Sequence, residues 1–340
     1  MPFISGAERK AFTKEDFRDK AFQDDFFFCK ELFPSAFYVD FCDTHREIFD
    51  LVSSNFKYAG VIAPRKLGKT PIICFAFPMK RILYNLETYI VIVSATQSES
   101  ERHVMKLIKS LETNEKIHYY FGNFVNRKNR KTTQQEAQFS NGIWLRSKGF
   151  LSQIRGTGGD WTPPSLIIVD DIQSNKDVKT EKSLKDAEDW FDDEVIYSAA
   201  IKWQHPRFKT LDSGKIRFLG TSLHPQCLAE RLWRDKRFKM IRHAICEDDG
   251  GEPALPPPYG DGKSIWEEMF STQFLSDEYR DALASGRDKN WLQERFNQPY
   301  KFGDRVFDSE NTMIWDVGGN KFDIIAGQPV ITMVEDLGIA

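Results

Sequence analysis

Between residues 58 and 245 short apolar runs alternate with helical stretches, and no other feature limits the possible folds as much. "YAGVIA" at 58–63, "TYIVIVSAT" at 88–96, "SLIIVDD" at 165–171 and "KIRFLGTSL" at 215–223 read as strands, and "GIWLRSKG" at 142–149 as a further one. Near-continuous apolar runs, rather than alternating ones, suit strands covered on both faces. Between them lie "QSESERHVMKLIKSLETN", "DVKTEKSLKDAEDWFDDEVIYSAA" and "CLAERLWRD". The second of these places Leu184, Ala187, Phe191 and Val195 on one helical face. Strand–helix alternation predicts an α/β chain with a mainly parallel sheet flanked by helices.

The flanks are helical and connective. "PSAFYVDFCDTHREIFDLVSSN" puts Phe41, His45, Ile48 and Leu51 near one helical face. "TPIICFAFPMKRILYN" is expected as a helix in which Pro71 sits in the first turn and Pro78 kinks or ends it. "GGEPALPPPYGDGKS" at 250–264 reads as a linker, followed by the helical "STQFLSDEYRDALASG" and "DKNWLQERFNQ". The predicted division is a helical N-terminal segment over 1–50, a core over 51–250, a linker with C-terminal helices over 251–325, and the start of another domain over 326–340.

Composition narrows the function classes. No window approaches a membrane span, and the N-terminus lacks an apolar signal core. The five scattered cysteines form no C-x-x-C pair, which predicts a reducing cytosol and no zinc knuckle. The net charge of −3 confines any nucleic-acid contact to local patches.

The chemistry begins at "VIAPRKLGKTPII", residues 61–73. From Ala63 it follows the phosphate-loop spacing G-x-x-x-x-G-K-[ST], with alanine in place of the first glycine. Gly68 and the following helix N-terminus supply backbone N–H donors, Lys69 a point charge for the β- and γ-phosphates, and the Thr70 hydroxyl an oxygen for Mg²⁺. The apolar strand "LIIVDD" ends in a second expected element. Asp170 is placed to hold the metal, and Asp171 to orient or deprotonate an attacking water. A third strand end, "FLGTS", offers the hydroxyls of Thr221 and Ser222 as a sensor of the γ-phosphate. The bland alternatives are a basic turn, a solvated acidic turn and an ordinary G-T-S turn.

In order and spacing these motifs resemble the ATPase region of the large terminase subunit of tailed bacteriophages, over roughly residues 35–300. The resemblance rests on Arg65 within the loop, the "GFLSQIRGTGGD" element, the D-D strand followed by a charged helix, and "GTSLHP" leading to "CLAERLW". It implies a P-loop NTPase fold of the ASCE, RecA-like type with a small helical lid. ATP and Mg²⁺ would be its cofactors, and ATP hydrolysis would drive double-stranded DNA into a procapsid. Portal protein and the small terminase subunit would be its partners. It would form a homo-oligomeric ring, a pentamer on the procapsid and a monomer in isolation, with no membrane, in the cytoplasm of an infected bacterial host. Arg65 would lie near the γ-phosphate. Arg155 is either an arginine finger donated to a neighbour or a structural arginine paired with a carboxylate. His45 either contacts adenine or is simply packed. Many members carry glutamate directly after the metal-binding acid, where this chain has Asp171, so either Asp171 or Glu181 orients the water.

"NRKNRKTT" groups Arg127, Lys128, Arg130 and Lys131 as either a DNA phosphate contact or a solvated loop. "KWQHPRFK" at 202–209 is a weaker candidate of the same kind. The tail "VITMVEDLGIA" resembles the first strand of a ribonuclease-H-like nuclease, with Asp336 as its first metal carboxylate. Two-metal chemistry needs more acids than that segment holds, so no DNA cutting is expected. The competing readings are a helicase-like cellular ATPase and a non-catalytic nucleotide-binding scaffold. A helicase needs a second motor domain, for which the remaining chain is too short.

Overall fold

The computed structural model describes residues 13–125, 132–155, 163–200 and 214–299, and describes 203–205, 208–211, 313–317, 320–325 and 328–331 through their backbone pairing alone. The chain divides into two units, Met1–Tyr300 and Lys301–Ala340.

The first unit is built on a seven-stranded sheet of order β3-β4-β2-β5-β8-β1-β9. Its strands are β1 (Tyr58–Ile62), β2 (Tyr89–Ser94), β3 (Glu136–Gln138), β4 (Trp144–Gly149), β5 (Leu166–Asp170), β8 (Lys215–Gly220) and β9 (Phe238–Arg242). All pair in parallel except β3, which lies antiparallel on the outer side of β4. This is the predicted α/β class, a mostly parallel sheet flanked by helices, with β8 inserted between the loop-bearing β1 and the acidic β5. Short β6 (Trp203–His205) and β7 (Phe208–Leu211) form a separate antiparallel pair, as do β10 (Cys246–Glu247) and β11 (Lys263–Ser264). The sequence reading passed over β9 because "FKMIR" is not an apolar run. As an edge strand it needs only partial burial, and Lys239 within it is exposed.

Among the described residues ten helices cover the sheet: α1 (Lys14–Gln23), α2 (Asp25–Leu32), α3 (Asp43–Ser53), α4 (a π-helical turn Pro71–Ala76 continued by Phe77–Leu83), α5 (Gln97–Thr113), α6 (Glu115–Phe121), α7 (Glu181–Trp190, extended by a π-helical turn Phe191–Ile196), α8 (Leu228–Arg234), α9 (Thr272–Ala284) and α10 (Asp288–Phe296). Alternate strand residues feed two cores, because successive side chains in a strand point to opposite faces. Ile90, Ile92, Leu166 and Ile168 pack with α1–α6, whereas Val91, Val93, Ile167 and Val169 pack with α7 and α8. The burial of Leu184, Ala187, Phe191 and Val195 agrees with the face read from sequence. No helix among the described residues is long and apolar enough to cross a membrane.

Pro78 does not end α4, one of the two expected outcomes, since the helix runs on to Leu83. The Phe77 N–H bonds five residues back to the Ile72 carbonyl, so a wide π turn precedes the proline. That register leaves room for a residue that lacks an N–H and whose ring would otherwise meet the carbonyl four residues earlier.

The second unit contains β12 (Met313–Val317), β13 (Asn320–Ile325) and β14 (Gln328–Ile331) as an antiparallel meander. The strand read from the tail is thus the third of its sheet. Asp336 lies outside the described residues, as do Arg127, Lys128, Arg130 and Lys131. Residues 202–209 are described at most through their backbone.

Candidate nucleotide site

The carboxyl ends of β1, β2, β5 and β8 align, since Ile62 stands beside Gly220, and Asp170 stands between Ser94 and Leu219. Parallel sheets present their ligand-binding loops along this edge. The loop after β1 takes positive φ at Lys66 (68°) and Gly68 (76°). Ala63 is not among the positive-φ residues; it is fully buried, and its N–H bonds to the Gly220 carbonyl at 3.4 Å. Its methyl is therefore accommodated, and the missing first glycine costs the loop nothing in backbone conformation. Gly68 is different, for a Cβ there would lie 3.2 Å from His45 Nε2 on top of the left-handed φ.

Lys69 is buried and held entirely by protein oxygens. Its Nζ donates to the Ala63 carbonyl at 2.9 Å and to Thr221 Oγ1 at 2.8 Å, and stands 3.3 Å from Asp171 Oδ2. Thr70 Oγ1 donates to Asp170 Oδ1 at 3.3 Å. The side chains expected to handle phosphate and metal are thus brought together from three strand ends. Asp171 sits at φ 42°, a left-handed conformation uncommon outside glycine and tolerated best by Asn and Asp. Its N–H bonds to the Leu219 carbonyl at 2.9 Å, and its Oδ1 accepts from Thr221 Oγ1 at 3.4 Å. The turn therefore aims the Asp171 carboxylate at Lys69. Glu181 is exposed in the first turn of α7 and makes none of these contacts.

The hydroxyl pair is wired to the C-terminal helices. Ser222 donates its hydroxyl to Glu230, which also pairs with Arg242 at 2.6 Å. The Ser222 N–H reaches Asn297 Oδ1 at 3.4 Å, and Asn297 Nδ2 donates to the His243 carbonyl at 2.7 Å. Gln293 Nε2 donates to the Leu223 carbonyl at 2.6 Å. From α10, Glu294 also meets the loop after β1, because its carbonyl accepts from the Arg65 N–H at 3.2 Å. Its carboxylate stands 2.9 Å from Arg65 Nε without hydrogen-bond alignment. Burial raises the Glu294 carboxyl against the lowering pull of Arg65 and Lys69.

His45 packs beneath the loop. Its Nδ1 accepts from the Cys42 N–H at 3.0 Å, so the proton belongs on Nε2, which donates to the Leu67 carbonyl at 2.9 Å. Burial lowers its pKa, which keeps the ring neutral at pH 7. Next to it lies a cavity of about 180 Å³ lined by Phe37, Tyr38, Phe41, Ile72 and Trp266 among others. Arg155 is half exposed and stands 3.4 Å from Glu194 Oε1 of its own chain. Glu194 also accepts from the Ile154 and Arg155 N–H groups at 2.8 and 3.2 Å, and these contacts outweigh burial to lower its pKa.

No protein-family model and no curated protein matches this chain. Among solved structures it is similar to the HK97 bacteriophage large terminase, with TM-score 0.47 and 12% identity over 77% of this chain and 51% of that one. It is also similar to the large terminase of a thermophilic bacteriophage in complex with ADP, with TM-score 0.44 and 10% identity over 85% and 66% of the two chains. A third is the Thermus phage P74-26 large terminase ATPase domain, with TM-score 0.42 and 12% identity over 74% and 92%. The chain spans about half the length of the HK97 protein and just under two thirds of the ADP-bound one.

The sequence reading missed His103, Cys74, Glu294 and Asn297. His103 Nε2 stands 3.2 Å from Asp170 Oδ2, and Cys74 adjoins the same carboxylate. With Arg65, Glu99, Arg102, Lys106 and Asp171, His103 lines a cavity of about 440 Å³ beside the acidic strand end. A signal for His103 existed in its position on the helix following β2, although a single histidine in a charged helix points nowhere by itself. Glu294 and Asn297 carry no local signal, since only folding carries α10 to the loop.

Proposed function

We propose that the chain is the ATPase of a motor that drives double-stranded DNA into a viral procapsid. The observation that carries this reading is the convergence of Lys69, Thr70, Asp170, Asp171 and Thr221 at one sheet edge. The donors fit the implied groups. Gly68, Lys69 and Thr70, just ahead of Pro71 at the start of α4, would offer their backbone N–H groups to phosphates, and the Thr70 hydroxyl and Asp170 carboxylate are the oxygen donors a hard divalent cation takes. Bound Mg²⁺ would neutralise charge on the transferring phosphoryl group.

Lys69 would bind the β- and γ-phosphates, exchanging its bonds to Thr221 and Asp171 for phosphate oxygens. Asp171, released from Lys69, would hold the attacking water and accept its proton. Asp171 is favoured over Glu181 because it already contacts Lys69 and Thr221. Arg65, half exposed beside Glu294, would lie near the γ-phosphate. The largely apolar cavity next to His45, lined by Phe37, Tyr38, Phe41 and Trp266, would take the adenine ring, with the imidazole among its walls. Release of Thr221 by Lys69 would shift the strand end, and Ser222, Asn297 and Gln293 would carry that shift to α10. Portal protein, the small terminase subunit and a pentameric ring are the partners this role calls for, and Arg127, Lys128, Arg130 and Lys131 remain its candidate DNA contacts.

The purified protein is expected to hydrolyse ATP in the presence of Mg²⁺, faster with double-stranded DNA. Asp170→Asn should lower kcat by about 100-fold or more. ATP binding without any turnover that this substitution removes would rule the motor out and leave a nucleotide-gated scaffold. Arg155 would act across a subunit boundary, and to do so it must leave Glu194. Mixing Arg155→Ala subunits with Lys69→Ala subunits should then restore part of the ATPase activity that each lacks alone. No recovery at any mixing ratio would assign Arg155 to the Glu194 ion pair only.

A further inference from the structure

We propose that Cys74, His103 and Asp170 form a site for a thiophilic divalent cation of the zinc class, which shares Asp170 with the oxygen set around Thr70 but adds a sulfur and an imidazole nitrogen. Three separate elements deliver the ligands. Cys74 comes from the π-helical turn of α4, His103 from α5 and Asp170 from the end of β5. One donor atom from each lies within 4.8 Å of the other two. Two ligands bound at about 2.0–2.1 Å with a tetrahedral angle stand roughly 3.3 Å apart. His103 Nε2 and Asp170 Oδ2 stand 3.2 Å apart, so that pair already has the required separation. Only a small movement of the Cys74 thiol then completes a three-ligand set.

The chemistry of the donors selects the ion. A sulfur, an imidazole nitrogen and a carboxylate oxygen suit Zn²⁺ and Co²⁺, whereas Mg²⁺ takes oxygens and gains little from a thiol. Among the described residues no other group of three His, Cys, Asp or Glu side chains meets the same spacing. Cys74 is fully buried and Asp170 nearly so, which excludes most competing water. His103 is the entry point, because it lines two cavities of about 440 and 620 Å³. Without a cation, burial and the adjacent Asp170 keep the Cys74 thiol protonated. On binding, the thiol proton is released to solvent and the charge on sulfur is met by the ion.

A consequence follows for Asp170, which Thr70 also contacts. A zinc-class ion would draw this carboxylate away from Thr70, so occupancy and Mg²⁺-dependent turnover would compete. This consequence rests on the ATPase reading, whereas cation binding does not.

The test uses Co²⁺ as a spectroscopic probe on the whole chain. One equivalent should bind with a thiolate-to-cobalt charge-transfer band and the visible bands of a tetrahedral ion, and Zn²⁺ should displace it. Cys74→Ser and His103→Gln should each weaken binding by about 10-fold or more. Lys69→Ala and Cys42→Ser should leave the band intact; Cys42 is the informative control because its Sγ lies 3.3 Å from His45 Nδ1. Should Cys74→Ser fail to fold, His103→Gln decides, since it changes a side chain that lines open cavities. No charge-transfer band, or one that survives His103→Gln or disappears with Cys42→Ser, would overturn the site. Zn²⁺ should also inhibit ATP turnover in the wild type, with an inhibition constant about 10-fold higher in His103→Gln. Equal inhibition of both proteins would overturn the shared-carboxylate consequence. A protein that shows the band but no ATPase activity would refute the motor and leave the cation site standing.

Discussion

Lys69→Ala is expected to abolish ATP turnover, lowering kcat/KM by about 1,000-fold or more, and to weaken ATP binding as well. The substitution removes the only ammonium that reaches Ala63, Thr221 and Asp171 at one point among the described contacts. Two effects add. The phosphates lose a buried point charge in a site of low dielectric, where such a charge counts most. Thr221 also loses the donor through which phosphate binding would be reported to the neighbouring strand. Lys69→Arg should not restore activity, because a planar fork cannot reproduce a compact ammonium in a pocket this closed. Asp170→Asn should by contrast lose turnover while largely retaining ATP affinity, since Lys69 and Gly68 are untouched. Measuring kcat alongside equilibrium ATP binding separates the two variants. An active Lys69→Ala protein would remove the loop from the reaction altogether.

Arg217→Ala should cost the fold about 3–5 kcal/mol, read as a shift in the denaturant midpoint. Arg217 lies in the middle of β8 and has no solvent exposure. Its guanidinium donates to the carbonyls of Val52 at 2.7 Å, Ser54 at 2.8 Å, Phe56 at 3.0 Å and Ile216 at 3.0 Å. Val52 belongs to the last turn of α3 and Ser54 is its C-cap, so a cation here meets the negative end of the helix. Burial, with a smaller contribution from Arg81, lowers its pKa to about 10, and it remains charged at neutral pH. Alanine would remove this shared donor from all four carbonyls, leaving Ser54 with the longer bond from Lys215 Nζ at 3.4 Å. Arg217→Lys should recover less than half of the loss, because one ammonium cannot span carbonyls spread around a planar fork. ATP turnover per folded molecule should stay near the wild-type value. Unchanged stability in Arg217→Ala would mean that α3 is capped some other way.

These two residues mark the limits of reading the sequence. Lys69 was legible as a candidate because the pattern that singles it out is written within a few adjacent residues: a strand, a glycine, a lysine, a hydroxyl and a helix. Arg217 was not, because an arginine inside an apolar run looks like an interruption until α3 is seen to end beside it. The same contrast holds around Asp170. That it ends a buried strand follows from "LIIVD", whereas its neighbours Cys74 and His103 come from segments with no shared pattern. Pro78 shows the converse error. Its local rule predicts a kink or an end, and a π turn of the preceding residues relieves the clash so that the helix does not end there.

The sequence by itself determined the parallel α/β class, the loop at 63–70, the acidic strand end at 170–171 and the hydroxyls at 221–222, because each depends on hydrophobic period or spacing over a few residues. Tertiary structure alone decided that Asp171 faces Lys69 while Glu181 does not, that Arg155 holds Glu194, that α10 joins the loop after β1 to Ser222, and that His103 and Cys74 share Asp170. Those contacts join residues tens to hundreds of positions apart. Their geometry comes from strand order and helix packing, which local propensities do not specify.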